Sequence, residues 1–210
     1  MSETRTAQRA TPSALLAGFV AGPIFVAVAV AQMLAREGFD LGRHPMSMLS
    51  VGDLGWVQIS NFIVGGVLAV AFAVGLRRVL RGRGRATTWG PVLIGVYGVG
   101  LIAGGVFVPD PALGFPPGAP EGIPAQLSWH AVLHAIAPPL AFLALVAACL
   151  VFARRFAAEG ARGWAAYSVA TAVVAFVLAA PATSVGLFAG VIVGWLWVTA
   201  LSWRFIREGR

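Results

Sequence analysis

The chain has 210 residues, of which 59% are apolar and 11% charged, and its mean hydropathy is +0.84. A soluble domain carries roughly 25% charged residues, so this chain could not cover its own surface in water, and a polytopic membrane protein is the class that fits. The net charge of +7 resides in arginines clustered between apolar spans, an arrangement suited to anionic lipid headgroups rather than to nucleic acid.

Residues 1–12 are polar, carry Arg5 and Arg9, and show no apolar periodicity; they are expected to form a disordered cytoplasmic tail. Apolar spans follow near 13–34, 56–76, 89–108, 129–152, 164–182 and 186–203, each close to the roughly 20 residues a helix needs to cross the hydrocarbon core. The first exceeds the roughly 7–15 residues of a signal-peptide h-region and reads as a retained helix. Trp56, Trp89, Trp129, Trp164 and Trp203 stand at span ends, where indoles prefer the headgroup region. The expected fold is therefore all-α, a bundle of six transmembrane helices filling 13–205 as one domain, with a short cytoplasmic tail at 206–210.

Thirteen of the fifteen arginines fall on one side of these spans, and only Arg36 and Arg43 on the other. The positive-inside rule then places both termini in the cytoplasm, N-in and C-in, in a bacterial cytoplasmic membrane. Gly22-Pro23 with Gly90-Pro91, and Arg77-Arg78 with Arg154-Arg155, hint at parallel hairpin repeats. Gly18-x3-Gly22, Gly100-x3-Gly104 and Gly186-x3-Gly190-x3-Gly194 put small residues on single helix faces, as close packing inside a bundle requires. Pro138-Pro139 should bend the fourth helix. The lone Cys149 lies in an apolar span and cannot form an intrachain disulfide.

Most reactive side chains collect at the outer level. His44, Ser47, Ser50 and Asp53 occupy the first outer loop, beside Arg43. Trp56, Gln58 and Asn61 open the second helix, Asp110 closes the third, and Ser128, Trp129, His130 and His134 open the fourth. Ionisable groups at membrane depth are costly and mark functional sites by default. Asp110 is expected to pair with Arg43, an opposite charge at the same level. Ser47 and Ser50 read either as caps of the second helix or as assisting nucleophiles. The Pro-rich run 110–124 reads as a rigid outer loop.

His130-x3-His134 puts two imidazoles on one helix face, a spacing that suits a shared zinc ion. The pair lacks the Glu of a His-Glu-x-x-His motif, so a third ligand must come from His44 or Asp110. The competing reading has His130 hydrogen-bonded at the interface and His134 donating to a backbone carbonyl freed by the prolines. No nucleophile elbow, phosphate loop, dinucleotide fingerprint or Cys pair is present.

Arg43-His44-Pro45-Met46-Ser47, Gly55-Trp56-Val57-Gln58, Asn61-Phe62, Ala73-Val74-Gly75-Leu76-Arg77-Arg78, Phe107-Val108-Pro109-Asp110-Pro111 with Gly114 and Pro116, and His134 together resemble the DUF998 family. That resemblance spans about Ser13 to Trp203 and implies a six-span prokaryotic membrane protein without assigned function. Trp129 departs from the small residue expected beside the histidine. A looser likeness to three-histidine zinc hydrolases of the alkaline-ceramidase and adiponectin-receptor kind is analogy alone.

Two functional classes follow. In an enzyme acting on a lipid-like substrate, His44, His130 and His134 would hold zinc, with His44, His134, Asp110 and Ser47 as catalytic groups. Arg43, Gln58, Asn61, Trp56 and Trp129 would then bind substrate. Otherwise the same groups serve a non-enzymatic protein that binds or transports a lipid or other small molecule, or dock a partner as an accessory subunit of a membrane complex. The orientation is tested by cysteines introduced at Ala119 and Gly82. A membrane-impermeant maleimide added to intact cells should label the first and spare the second; the reverse pattern would invert the topology.

Overall fold

The structure is a computed structural model that describes residues 2–81 and 86–208. Its elements are α1 (Ser2–Ala35), α2 (Gly55–Leu80), α3 (Ala86–Val106), α4 (Trp129–Ala158), α5 (Arg162–Ala179) and α6 (Ser184–Glu208). All six are long and apolar enough to cross a membrane, so the protein is an all-helical multi-pass membrane protein. Hydrocarbon offers no partner for a backbone N–H or C=O, and a helix satisfies both within the segment. The membrane-crossing part of α1 is Ser13–Ala35, and its helical assignment runs back to Ser2 through the tail expected to lack structure.

Helices α2, α4 and α6 run past their expected ends and carry arginines in their last turns. A cation there meets the negative end of the helix dipole and can reach the headgroups on a flexible stem. Arg204 also lies 4.4 Å over the Phe156 ring and 5.1 Å over the Trp164 ring, which ties α6 to the α4–α5 turn. Pro138 and Pro139 lie inside α4 without ending it.

Each helix packs against the next, and α6 returns to pack against α1, so the six close into a ring. One side of this ring is tight because it is built on glycine. A Cβ on Gly66 would stand 2.5 Å from the Gly98 carbonyl oxygen, and one on Gly98 would stand 2.7 Å from that of Gly66. Backbones of α2 and α3 therefore touch directly. The glycines of the small-residue motifs are also used inside the chain: Gly18 faces Phe72, Gly22 faces Trp195, Gly100 faces Ala141 and Gly194 faces Leu145.

The opposite side is looser. α4 has 30 residues and α5 only 18. The two are joined at the arginine-rich end by the short turn after Ala158. At ~1.5 Å per residue the mismatch of about 18 Å therefore falls at the other end. There the first turns of α4 overhang the α5–α6 connection.

That other end is capped by the loops 36–54 and 107–128, which share a small core of Met48, Leu49, Val51, Ala112 and Phe115. Arg36 pins it. Its guanidinium donates to the Leu49 and Val51 carbonyl oxygens at 3.1 and 2.7 Å and lies 5.1 Å from the Phe115 ring centre. Ser47 and Ser50 do not cap α2 as anticipated. They sit in a 3-10 turn, Met46–Ser50, and the N-cap position of α2 is Leu54, with no side-chain cap. A Cβ at Gly55 would fall 2.2 Å from the Ser50 carbonyl oxygen, so the turn enters the helix through a contact only glycine allows.

Two alanine substitutions one helical turn apart on α3 test the backbone contact. Gly98→Ala should lower the thermal midpoint in detergent, by the equivalent of about 1–3 kcal/mol for an overpacked site. Gly95→Ala, whose Cβ would meet only the Ala73 methyl at 3.7 Å, should leave the midpoint unchanged or raise it. Equal effects would remove the glycine contact as the basis of the tight side.

Candidate functional site

Within the ring, in its capped half, lies a cavity of about 500 Å³, within the roughly 300–1,000 Å³ of small-molecule sites. All six helices and the 3-10 turn contribute to its wall, which is overwhelmingly apolar. A stripe on α4 forms one side: His134, Pro138 and Phe142, with Ala135, Pro139 and Leu143 beside them. Proline at two successive positions leaves that stripe without the usual complement of backbone donors, and its rings present a smooth apolar surface.

The floor is aromatic. Trp195 is 5.5 Å from Phe25 and 5.3 Å from Tyr97 between ring centres. Phe25 and Tyr97 line the cavity, and all three rings are buried. Trp195 lies 11 residues into α6, about 16 Å from the capped end at ~1.5 Å per residue, so the cavity closes about half-way down the helix bundle. The rim is open. Leu143 of α4 is 48% exposed and Phe176 of α5 is 50% exposed, although both line the cavity. The opening faces sideways, between α4 and the end of the short α5.

Of the polar residues anticipated as a site, the structure brings two to this cavity: His134 and Ser47. His134 is buried, with Nδ1 2.6 Å from the Phe107 carbonyl oxygen and 3.1 Å from that of Gly104. Its partners are thus the Gly104 carbonyl in the last turn of α3 and the Phe107 carbonyl just beyond it, neither with an acceptor role left inside the helix, and not a carbonyl freed by the prolines. Ser47 is half-buried.

The remaining anticipated residues serve elsewhere. His44 is buried in the cap. Its Nδ1 accepts from the Asp40 backbone N–H at 2.9 Å, and its Nε2 donates to the Leu113 carbonyl oxygen at 3.0 Å. Since an accepting Nδ1 must be unprotonated, the tautomer is set and both nitrogens are used. Arg43 pairs with Glu121 at 2.5 Å and not with Asp110. This exposed pair contributes little. Asp110 instead accepts from the Ser128 backbone N–H at 2.7 Å. Ser128 is the N-cap of α4, its hydroxyl accepting from the Ala131 N–H at 3.2 Å. The carboxylate thus fastens the start of α4 to the end of α3.

Gln58 and Asn61 are buried between α1 and α2. Gln32 donates to Gln58 at 2.7 Å, and Asn61 donates to the Phe25 carbonyl oxygen at 3.0 Å. Trp56 and Trp129 are exposed, and the Trp129 ring lies tilted against that of His130, 4.1 Å between centres. His130 Nδ1 is 3.2 Å from the Ser128 hydroxyl.

The three histidines therefore do not converge. Among the described residues no group of three or more His, Cys, Asp or Glu side chains is placed to hold a metal ion. His44 has no free nitrogen, and the ring nitrogen of His134 that faces α3 is committed to carbonyls. The donor set does not fit the zinc centre anticipated from the His130-x3-His134 spacing. What sequence reasoning missed is the cavity itself, since Phe25, Tyr97, Phe142 and Phe176 carry no mark that separates a cavity wall from a lipid-facing surface. The missed polar residue is Arg36, whose position at the end of the first span was its one signal.

The family model described as "Protein of unknown function (DUF998)" matches residues 19–204. No curated protein and no solved structure matches the chain.

The Ser128 hydroxyl and backbone N–H hold the Asp110 carboxyl below the usual carboxylate range. A depressed folded-state value means that the stabilisation is complete above the ordinary range and is lost as pH falls through the lower folded value. Asp110→Ala should therefore lower the thermal midpoint at pH 7. The gap to wild type should close as pH falls below the ordinary carboxylate range, in detergent melts at stepped pH. A gap independent of pH would mean that Asp110 acts by packing alone.

Proposed function

The chain belongs to the DUF998 family, whose description carries no activity, and we propose on the geometry that it binds an apolar, lipid-like molecule without chemical conversion. The observation that carries this reading is the cavity. It is large enough for a small molecule, walled by apolar side chains, closed about half-way down the helix bundle and open sideways at Leu143 and Phe176. A ligand dissolved in the bilayer could enter without crossing water. The closed aromatic floor favours binding within one leaflet over passage across the membrane.

The orientation that fits is N-in and C-in, with the capped end outward and the arginine-rich turns toward the cytoplasm of a bacterium. The cavity would then draw from the outer leaflet. Among the described residues no three donors converge, so the donor set gives no support to metal-assisted hydrolysis. Binding, rather than turnover, is what three neutral polar groups, His134, Ser47 and Tyr97, in an apolar wall are suited to.

A neutral alkyl probe bearing a diazirine, incorporated with the protein in nanodiscs, should label peptides containing Phe142 or Phe176 in a saturable manner. Excess unlabelled hydrocarbon should compete. Ala135→Trp, which places an indole in the cavity wall, should reduce saturable labelling at least fivefold while the protein still elutes as wild type. Labelling that never saturates and ignores Ala135→Trp would refute the reading.

A further inference from the structure

His134 is held so that its chemistry toward the cavity is fixed. The Phe107 and Gly104 carbonyl oxygens beside Nδ1 can only accept, so in the neutral ring the proton sits on Nδ1 and the lone pair on Nε2. Nε2 makes no hydrogen bond within the described residues, and it is not among their buried atoms without a partner. A buried imidazole lining an apolar cavity thus offers an acceptor and no donor. Ser47, from the 3-10 turn, adds a hydroxyl to the same wall. No Arg, Asp or Glu side chain lines the cavity.

Resting on the apolar-ligand reading above, we infer that the ligand is an uncharged lipid bearing a free hydroxyl. Its O–H donates to His134 Nε2, its oxygen accepts from the Ser47 hydroxyl, and its chain runs down the Pro138–Phe142 stripe toward the Phe25 and Tyr97 floor. Charge decides against the alternatives. A carboxylate or phosphate buried there would find no cation and would meet the imidazole lone pair, so desolvation would go uncompensated. An ether or a plain hydrocarbon would leave Nε2 buried without a donor.

Depth agrees. His134 lies five residues inside Trp129, about 7.5 Å along the helix at ~1.5 Å per residue. Exposed Trp129 marks the headgroup level. A hydroxyl just beneath that level, with its chain pointing to mid-membrane, is the orientation a neutral lipid alcohol already has in a leaflet.

The test uses the diazirine alkyl probe on wild-type protein in nanodiscs, with hexadecan-1-ol, its methyl ether and hexadecanoate as competitors. The alcohol should compete at about five- to tenfold lower concentration than the ether, the worth of one hydrogen bond, and hexadecanoate should be weaker than both. Ser47→Ala should narrow the margin between alcohol and ether, and His134→Phe should abolish it while probe labelling persists. Equal competition by alcohol and ether, or preference for hexadecanoate, would overturn the hydroxyl assignment and leave the apolar cavity standing. Failure of all three to compete would overturn the cavity reading itself. Because the comparison of competitors is made on wild type, it holds even if His134→Phe does not fold.

Discussion

The contact of backbone on backbone between α2 and α3 sets the asymmetry on which the rest of this structure depends. Gly66 and Gly98 let two helices approach to a distance no side chain permits, and dispersion forces between them replace the hydrophobic driving force that lipid cannot supply. A ring of six helices closed tightly on that side cannot also close tightly opposite unless the remaining helices match in length. They do not, because α5 is 18 residues against 30 in α4. The space left over is the cavity. Its location in the capped half follows from the tight turn that joins α4 and α5 at the other end.

The cap makes that space usable. Arg36 spends its donors on the Leu49 and Val51 carbonyls, which belong to a turn with no helix or strand to satisfy them. His44 braces its own loop through Nδ1 and reaches the second loop through Nε2, and Asp110 ties the end of α3 to the start of α4. Each is a charged or titratable residue placed where irregular backbone lies near the membrane. There an unsatisfied N–H or C=O is expensive, and a side chain with several hydrogen-bonding atoms resolves more than one at once. The ordered cap in turn presents Ser47 to the cavity that His134 also lines.

This explains why the helices were legible in the sequence and the site only in part. Span number and position follow from runs of apolar residues near twenty long, a property of composition that tertiary packing cannot override. Arg43, His44 and Asp110 stood out for the right reason, polarity at the end of the bundle that the loops cap. Polarity does not separate a residue that holds a loop from one that meets a ligand. His134 was singled out as a metal ligand through its spacing from His130, yet what matters is the direction of its ring, set by the carbonyls of Gly104 and Phe107 at the end of α3. The cavity was not legible at all. A phenylalanine facing lipid, a neighbouring helix or a void has the same transfer energy in sequence terms, and only the lengths of α4 and α5 together foreshadow the gap.

The central claim is that the ring holds one neutral lipid in its capped half. Native mass spectrometry of the protein released from its own membrane tests it most directly, with collisional stripping of detergent and identification of whatever remains bound. The account predicts one uncharged, hydroxyl-bearing lipid per chain, retained after annular phospholipids have been removed. Bare protein at the same collision energy, or retained phospholipid in proportion to its abundance in the membrane, would contradict it.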